Sequence, residues 1–424
     1  MYRGGKHIAT HSYIEDVQQT VEVIDIKTTA TDELTGTHEQ QAGKKVTITD
    51  WVTYTNLEVG KTYKVKGTLM DKSTGKPLKV NGKKITANAT LVPEEGNGSI
   101  NLEFSFDSSG LAGKRLVVFE DLIFSGIKVA THSDIEDEGQ TVNVVDVKTN
   151  AVSDKTGTHE QQIDEKTTVV DTVSYTGLTP GKKYTVKGIL MNRDTGKALK
   201  VKGKKVTAEK TFRAKDTDGE VKLKFTFDSS ALKGKTVVVF EDLYRNDVKI
   251  ATHSNIKDKK QSVTFIDIGT VATDKSSGSH TMVLGDNVSL VDTVSYTGLT
   301  PGKKYTLKGI VKDKSNSSDV AEATATFTAD KENGIATVEF TINTNSLQGK
   351  SLVVFEKLYD SKDVEIASHE DLEDNDQTVV VPVAPATPKT GDMAWLLILG
   401  LLLLVCGVCG VVYFYRKARK GTTK

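Results

Sequence analysis

Cysteine is almost missing from this 424-residue chain. There are two, Cys406 and Cys409, and both sit in an apolar run near the C-terminus. The first 400 residues therefore cannot contain a disulfide, the usual staple of exported domains. Net charge is also absent, with 56 basic and 56 acidic residues. This removes the electrostatic footprint expected of a nucleic-acid binder, so no nucleic-acid partner is expected. Aromatic residues make up 6% of the chain, too few for a broad ligand-binding patch to stand out. HExxH, Cys/His clusters, P-loops and GxSxG are all missing, so the sequence supports no metal, nucleotide or other cofactor chemistry. No signal peptide opens the chain. Its first residues, MYRGGKHIATHSYIEDVQQTV, instead match an interior segment, LYRNDVKIATHSNIKDKKQSV (residues 243–263). The expectation is that residues 1–23 are the C-terminal remnant of a repeat, and that the sequence is an N-terminal truncation of a longer exported protein.

What the chain does have is a period of 121 residues. Thr28, Thr149 and Thr270 follow it, as do Gln19, Gln140 and Gln261, with Gln377 completing the series. A period of domain length means an array of domains. Runs such as KVTITDWVTYTNL, KYTVKGILM and KTVVVFEDL alternate or are rich in β-branched residues. Turn signals such as STGK, DTGK and TDGE separate them, and no amphipathic helix is apparent. The pattern predicts an all-β chain of tandem immunoglobulin-like β-sandwich domains in a rod. Side-chain parity sets the boundaries. Gln140, Val142 and Val144 share one strand face, while Val145, Val147, Thr149 and Ala151 share the other. The inward face flips between residues 144 and 145, and likewise after Val23 and Phe265. The domains are therefore expected at 24–144, 145–265 and 266–381, with almost no linker between them. The third is shorter, most of the difference being a six-residue loss between Tyr305 and Glu356.

The C-terminal end is organised differently. Residues 382–392 (PVAPATPKTGD) read as an extended proline-rich spacer. An uncharged run over 393–415 is long enough to cross a bilayer as a transmembrane helix. A basic tail, 416–424, follows and is predicted cytoplasmic, which places the repeats outside.

Four polar residues, a threonine, a glutamine, an aspartate and a glutamate, recur in all three repeats at inward-facing positions, and a histidine recurs with them. Thr28 shares parity with Ile24, Ile26 and Ala30, and Gln140 with Val142 and Val144. Asp50, Asp171 and Asp292 align with apolar neighbours. Glu120, Glu241 and Glu356 end VVF runs that are apolar on both faces. His132, His253 and His369 each precede a glutamine by eight. Buried carboxylates are expensive unless paired or protonated, and two close ones push one pKa upward. A protonated acid could donate a hydrogen bond to a glutamine carbonyl and make its carbon more electrophilic toward a threonine hydroxyl. A second histidine column, His38, His159 and His280, lies beside glycine-containing turns and is expected in an exposed loop.

The phrases VVFEDL, VVVFEDLY and VVFEKLY, with this polar set, resemble the VaFE-repeat family of Gram-positive surface proteins. Members of that family are similar to immunoglobulin-like domains that form an internal Thr–Gln ester. The resemblance covers essentially residues 1–381. It implies esters between Thr28 and Gln140, Thr149 and Gln261, and Thr270 and Gln377. Asp50, Glu120 and His132 would assist the first, Asp171, Glu241 and His253 the second, and Asp292, Glu356 and His369 the third. Gln19, whose threonine is missing, would stay uncoupled. Such a reaction is single-turnover, so no enzyme is expected. Thr387-Pro388-Lys389-Thr390-Gly391, followed by the apolar run and basic tail, resembles the LPXTG-like signal read by sortase, with Thr387 in place of leucine. It implies cleavage between Thr390 and Gly391, attachment to peptidoglycan, and only a transient membrane anchor.

The function expected is a cell-wall-anchored stalk or adhesin, with any host or glycan ligand held by a missing N-terminal region. A sortase-polymerised pilin subunit, or a repeat that itself binds a ligand, is the alternative. A rival Lys–Asn isopeptide would use Lys27 and Lys148, but their parity points outward and the third repeat has Gly269 there.

Overall fold

The computed structural model describes residues 1–385. Its architecture is all-β, with β-branched alternating segments paired almost entirely antiparallel. Among the described residues the only helical turns are two short 3-10 segments, Ser230–Leu232 and Thr344–Leu347.

The first repeat builds two facing sheets. One has Val46–Thr55 at its centre, flanked by Asp25–Asp32 and Gly98–Phe106. The other runs from Thr86–Leu91 through Tyr63–Asp71 to Arg115–Phe124. Along that last strand, Ile127–His132 pairs with one half and the start of Thr141–Ser153 with the other. A short strand, Glu39–Gln41, adds in parallel outside it. Ile26, Ala30, Ile48, Val52, Leu69, Phe104, Val118, Val142 and Val144 fill the space between the sheets. This is the sandwich arrangement that alternating inward residues dictate. The second and third repeats reproduce the same pairings.

The strand Thr141–Ser153 serves two sandwiches. Residues 141–143 pair with 115–117 of the first, and residues 146–153 pair with 169–176 of the second. Its side chains change allegiance at Val144–Val145. Val142 and Val144 join the first core, whereas Val145, Val147 and Ala151 join the second. Ser262–Asp274 repeats the device, with Val263 and Phe265 in one core and Ile266, Ile268 and Ala272 in the next. No loop intervenes at either junction.

The shortening of the third repeat has a local cause. In the second repeat a small hairpin, Lys200–Val201 with Lys204–Lys205, turns through Lys202 and Gly203, both at positive φ (49° and 79°). The third repeat has no such hairpin, and Lys304–Asp313 pairs directly with Asp319–Thr328. Residues 1–23 carry only a two-residue hairpin, Tyr2–Arg3 with Lys6–His7, and leave Ile14 and Val17 exposed. Gln19 is exposed there. No helix among the described residues is long and apolar enough to cross a membrane. The expected span over 393–415, the basic tail and the signal Thr387–Gly391 lie outside the described residues.

Candidate functional site

Each sandwich brings its threonine, glutamine, aspartate, glutamate and histidine to one place between its first and last strands. A backbone bond begins the convergence. Ala30 N–H donates to Gly139 O (3.0 Å), and the same bond recurs from Ala151 to Lys260 O (2.8 Å) and from Ala272 to Asp376 O (2.9 Å). In each case the acceptor is the residue just before the glutamine and the donor lies two after the threonine. The aspartate stands directly across from that donor, as Ala30 opposite Asp50, Ala151 opposite Asp171 and Ala272 opposite Asp292. The glutamate and histidine are also cross-strand partners, Glu120 with His132, Glu241 with His253 and Glu356 with His369.

The set is buried. Gln140, Gln261 and Gln377 are each 0% exposed, as are Asp50, Asp171 and Asp292. Glu120, Glu241 and Glu356 are equally inaccessible, Thr149 and Thr270 are buried, and Thr28 is half-buried. The histidines stand at the edge, their side chains 23%, 22% and 27% exposed.

In the first domain Thr28 Oγ1 donates to Glu120 Oε2 (3.2 Å) and Gln140 Nε2 to Asp50 Oδ1 (3.3 Å). In the second, Gln261 Nε2 donates to Glu241 Oε2 (2.7 Å). In the third, Thr270 Oγ1, both polar atoms of Gln377 and all four carboxyl oxygens of Asp292 and Glu356 lack a partner among the described residues. A buried polar atom without a partner costs about 1–3 kcal/mol. Forming an ester would consume the hydroxyl and the amide NH2, two of the groups that carry this cost.

The two acids of each site split in pKa. Burial raises Asp50 to about 6, the nearby Glu120 carboxyl and the charge of His132 holding it down. Burial, then the charge of Asp50, pushes Glu120 up to about 10. Asp171 and Glu241 go to about 6 and about 11, and Asp292 and Glu356 to about 6 and about 9, through burial first and then, for each glutamate, the charge of the neighbouring aspartate. Burial and mutual repulsion raise both carboxyls of each pair, the glutamate furthest, which favours a proton held within the pair. The pair thus offers an acid and a base side by side.

Two groups at this site are not among the residues expected from sequence. The first is an aspartate five residues after each histidine. His132 Nε2 meets Asp137 Oδ2 at 2.8 Å, His253 meets Asp258 at 3.0 Å, and His369 meets Asp374 at 2.8 Å. His253 Nδ1 also contacts the Val147 carbonyl at 3.0 Å, which fixes the ring against the strand that carries Thr149. The recurring H-x4-D was the available signal. The second is a glycine facing each glutamate across the strands, Gly67, Gly188 and Gly309. A Cβ on Gly309 would collide with Glu356 Oε1 and Phe340. A mid-strand glycine with no turn to make, in VKGTLM, VKGILM and LKGIVK, marks such a close approach.

The rival lysines are not in the site. Lys27 is exposed, and the Lys148 side chain is 81% exposed.

A family model for the T-Q ester bond containing domain matches residues 24–144, 145–265 and 266–381. The chain belongs to that family. No curated protein matches it. Among solved structures, two crystal forms of a bacterial adhesin from Mobiluncus mulieris, containing intramolecular disulfide, isopeptide and ester bond cross-links, resemble this chain loosely. One is 18% identical over 50% of this chain and 80% of its own, with a TM-score of 0.28. The other is 13% identical over 75% of this chain and 99% of its own, with a TM-score of 0.27.

The second histidine column only partly follows expectation. His159 and His280 are exposed and His38 is half-buried. The residues that follow His38 and His159, Glu39 and Glu160, are not in a loop. They lie in short parallel strands and are almost wholly buried, because another domain covers them.

Proposed function

We propose that each domain closes its own Thr–Gln ester, Thr28 with Gln140, Thr149 with Gln261 and Thr270 with Gln377, and that the esters stiffen a surface stalk. The reading rests above all on the convergence of a threonine, a buried glutamine and a buried acid pair between the first and last strands, three times over.

The protonated glutamate polarises the glutamine carbonyl and the threonine oxygen attacks its carbon. The new bond is Thr Oγ–Gln Cδ, and the bond broken is Gln Cδ–Nε2. The hydroxyl proton travels to the departing nitrogen, which leaves as ammonia. In the first domain Asp50, already bonded to the Gln140 nitrogen, is placed to pass that proton. The His132–Asp137 pair sets the charge beside Asp50. Each domain reacts once and is consumed, so the chain turns over no substrate.

The finer reading is a stalk attached to peptidoglycan by sortase through Thr387–Gly391, after a transient membrane stage, with any host or glycan ligand held outside the three ester domains. Wall anchoring is tested by sortase-dependent release of the chain with the wall fraction.

Intact mass tests the esters. Three ammonia losses per chain are expected, and a chain at its full unmodified mass would sink the proposal. Mild base should hydrolyse each ester, adding one water and leaving a glutamate where the glutamine stood, as it would not for an isopeptide.

A further inference from the structure

Glu39 and Glu160, each buried beside a histidine of the second column, point to an interface code between successive domains. Glu39 belongs to the first domain, held in a strand parallel to residues 143–145. Its carboxylate is 0% exposed and is spent mainly on the second domain. Oε1 accepts from Thr179 N–H (3.2 Å), from the Thr179 hydroxyl and from Tyr184 OH (2.7 Å). Oε2 pairs with the Arg245 guanidinium and accepts from its own neighbour Thr37 (2.7 Å).

At the next junction Glu160 does the same. Oε1 accepts from Thr300 Oγ1 (2.9 Å) and Tyr305 OH (2.7 Å), and Oε2 from Lys303 Nζ (2.6 Å). Thr179 and Thr300, and Tyr184 and Tyr305, are equivalent positions one period apart. The cation is not equivalent. The counterpart of Arg245 in the third domain is Asp360, which cannot pair with a carboxylate. There Lys303 supplies the charge from a different strand end, and it reaches Asp360 as well (3.8 Å). The two junctions therefore share the threonine and the tyrosine and differ in the residue that supplies the cation. A buried carboxylate is costly without a cation and hydrogen bonds, and a pair of that quality fixes geometry even where it adds little net stability. Gln162 adds a second tie at this junction, donating to Ser368 O (2.6 Å) and accepting from Ser368 N–H (3.2 Å).

The ends of the series break the pattern. The third domain has Thr281 where the others have glutamate. The first domain has Glu58 where its successors have the receiving threonine, and Phe124 where the second has Arg245. Lys61 and Tyr63 keep the positions of Lys303 and Tyr305, but Glu58 now pairs with that lysine itself.

We propose that Glu39 and Glu160 are interdomain clasps, each recognising a Thr–Tyr–cation receptor on the following domain, and that they lock consecutive domains in one orientation. The locking is independent of the esters, whose residues lie inside each sandwich.

Pulsed electron-spin distance measurement tests this in the full chain. Spin labels go at the exposed positions Lys222→Cys and Thr337→Cys, in a Cys406→Ser, Cys409→Ser background. A single narrow distance is expected. Glu160→Ala should broaden it at least about twofold, toward the free relative motion that domains show without a rigid interface. Tyr305→Phe, which removes one oxygen atom and spares the cation, should broaden it less. Thr281→Ala should leave it unchanged. A thermal melt of each variant separates loosening of the junction from failure to fold. A parent distribution that is already broad, or a folded Glu160→Ala chain as narrow as the parent, would overturn the clasp.

Discussion

One proton per site governs the chemistry. Between about pH 6 and about pH 10 the Asp50–Glu120 pair holds a single proton, with Glu120 as acid and Asp50 as base. Ester formation in a freshly refolded first domain should be fastest in that window and slow on either side, read as ammonia loss against pH. Glu120→Ala should slow the first ester by about 10²–10⁴-fold, the usual worth of a positioned acid. Mass spectrometry would then show two prompt losses and one delayed. Gln140→Ala should remove one loss permanently and leave the other two. The same shifts make a stability statement. Glu120 has a folded pKa above its ordinary 4.5, so the folded form binds the extra proton. Its contribution is fully present below pH 4.5 and is lost as pH rises through about 10. Denaturant melts of the uncoupled Gln140→Ala domain should lose stability across that range.

At the scale of the strand, close approach matters more than sequence distance. The glutamate strand lies against its neighbour where a glycine stands: a Cβ on Gly67 or Gly188 would strike the Phe104 or Phe225 ring, and one on Gly309 would strike the Glu356 carboxyl as well. Gly309→Ala should force Glu356 and Phe340 aside and cost about 1–3 kcal/mol, as overpacking does. It should also suppress the third ester alone, which peptide mass mapping would show. Strand parity identifies the inward residues of the first and last strands because a two-residue repeat leaves no choice of face. Parity does not orient His132, since the strand Ile127–His132 is mostly half-exposed and has no clean apolar face. Register decides that residue, by setting it opposite Glu120. Asp137 escapes for a related reason: its contact is made from a loop that turns back on the histidine.

At the scale of the whole molecule, each ester would close a loop of over a hundred residues. A cross-link of that span stabilises by about 4–5 kcal/mol through the unfolded chain, so the Gln140→Ala domain should melt correspondingly earlier. Pulled from its ends, a closed domain bears load on a covalent bond between its first and last strands. That is the role disulfides would fill in a chain with cysteine to spare. With the strands Thr141–Ser153 and Ser262–Asp274 each shared by two sandwiches, force passes from one domain to the next without a linker to extend.

Period, alternation and the improbability of polar side chains on apolar faces were enough to read the repeat, the all-β character and the inward threonine, glutamine, aspartate and glutamate of each repeat from the chain alone. The inward direction of the histidine came only from the family resemblance. Only the tertiary structure decided which glutamate shares a proton with which aspartate, which aspartate holds each histidine, and that Glu39 and Glu160 are buried. Local pattern records which face a residue takes on its own strand. Whether a second sheet or a second domain covers that face depends on residues far away along the chain, and no local period encodes them.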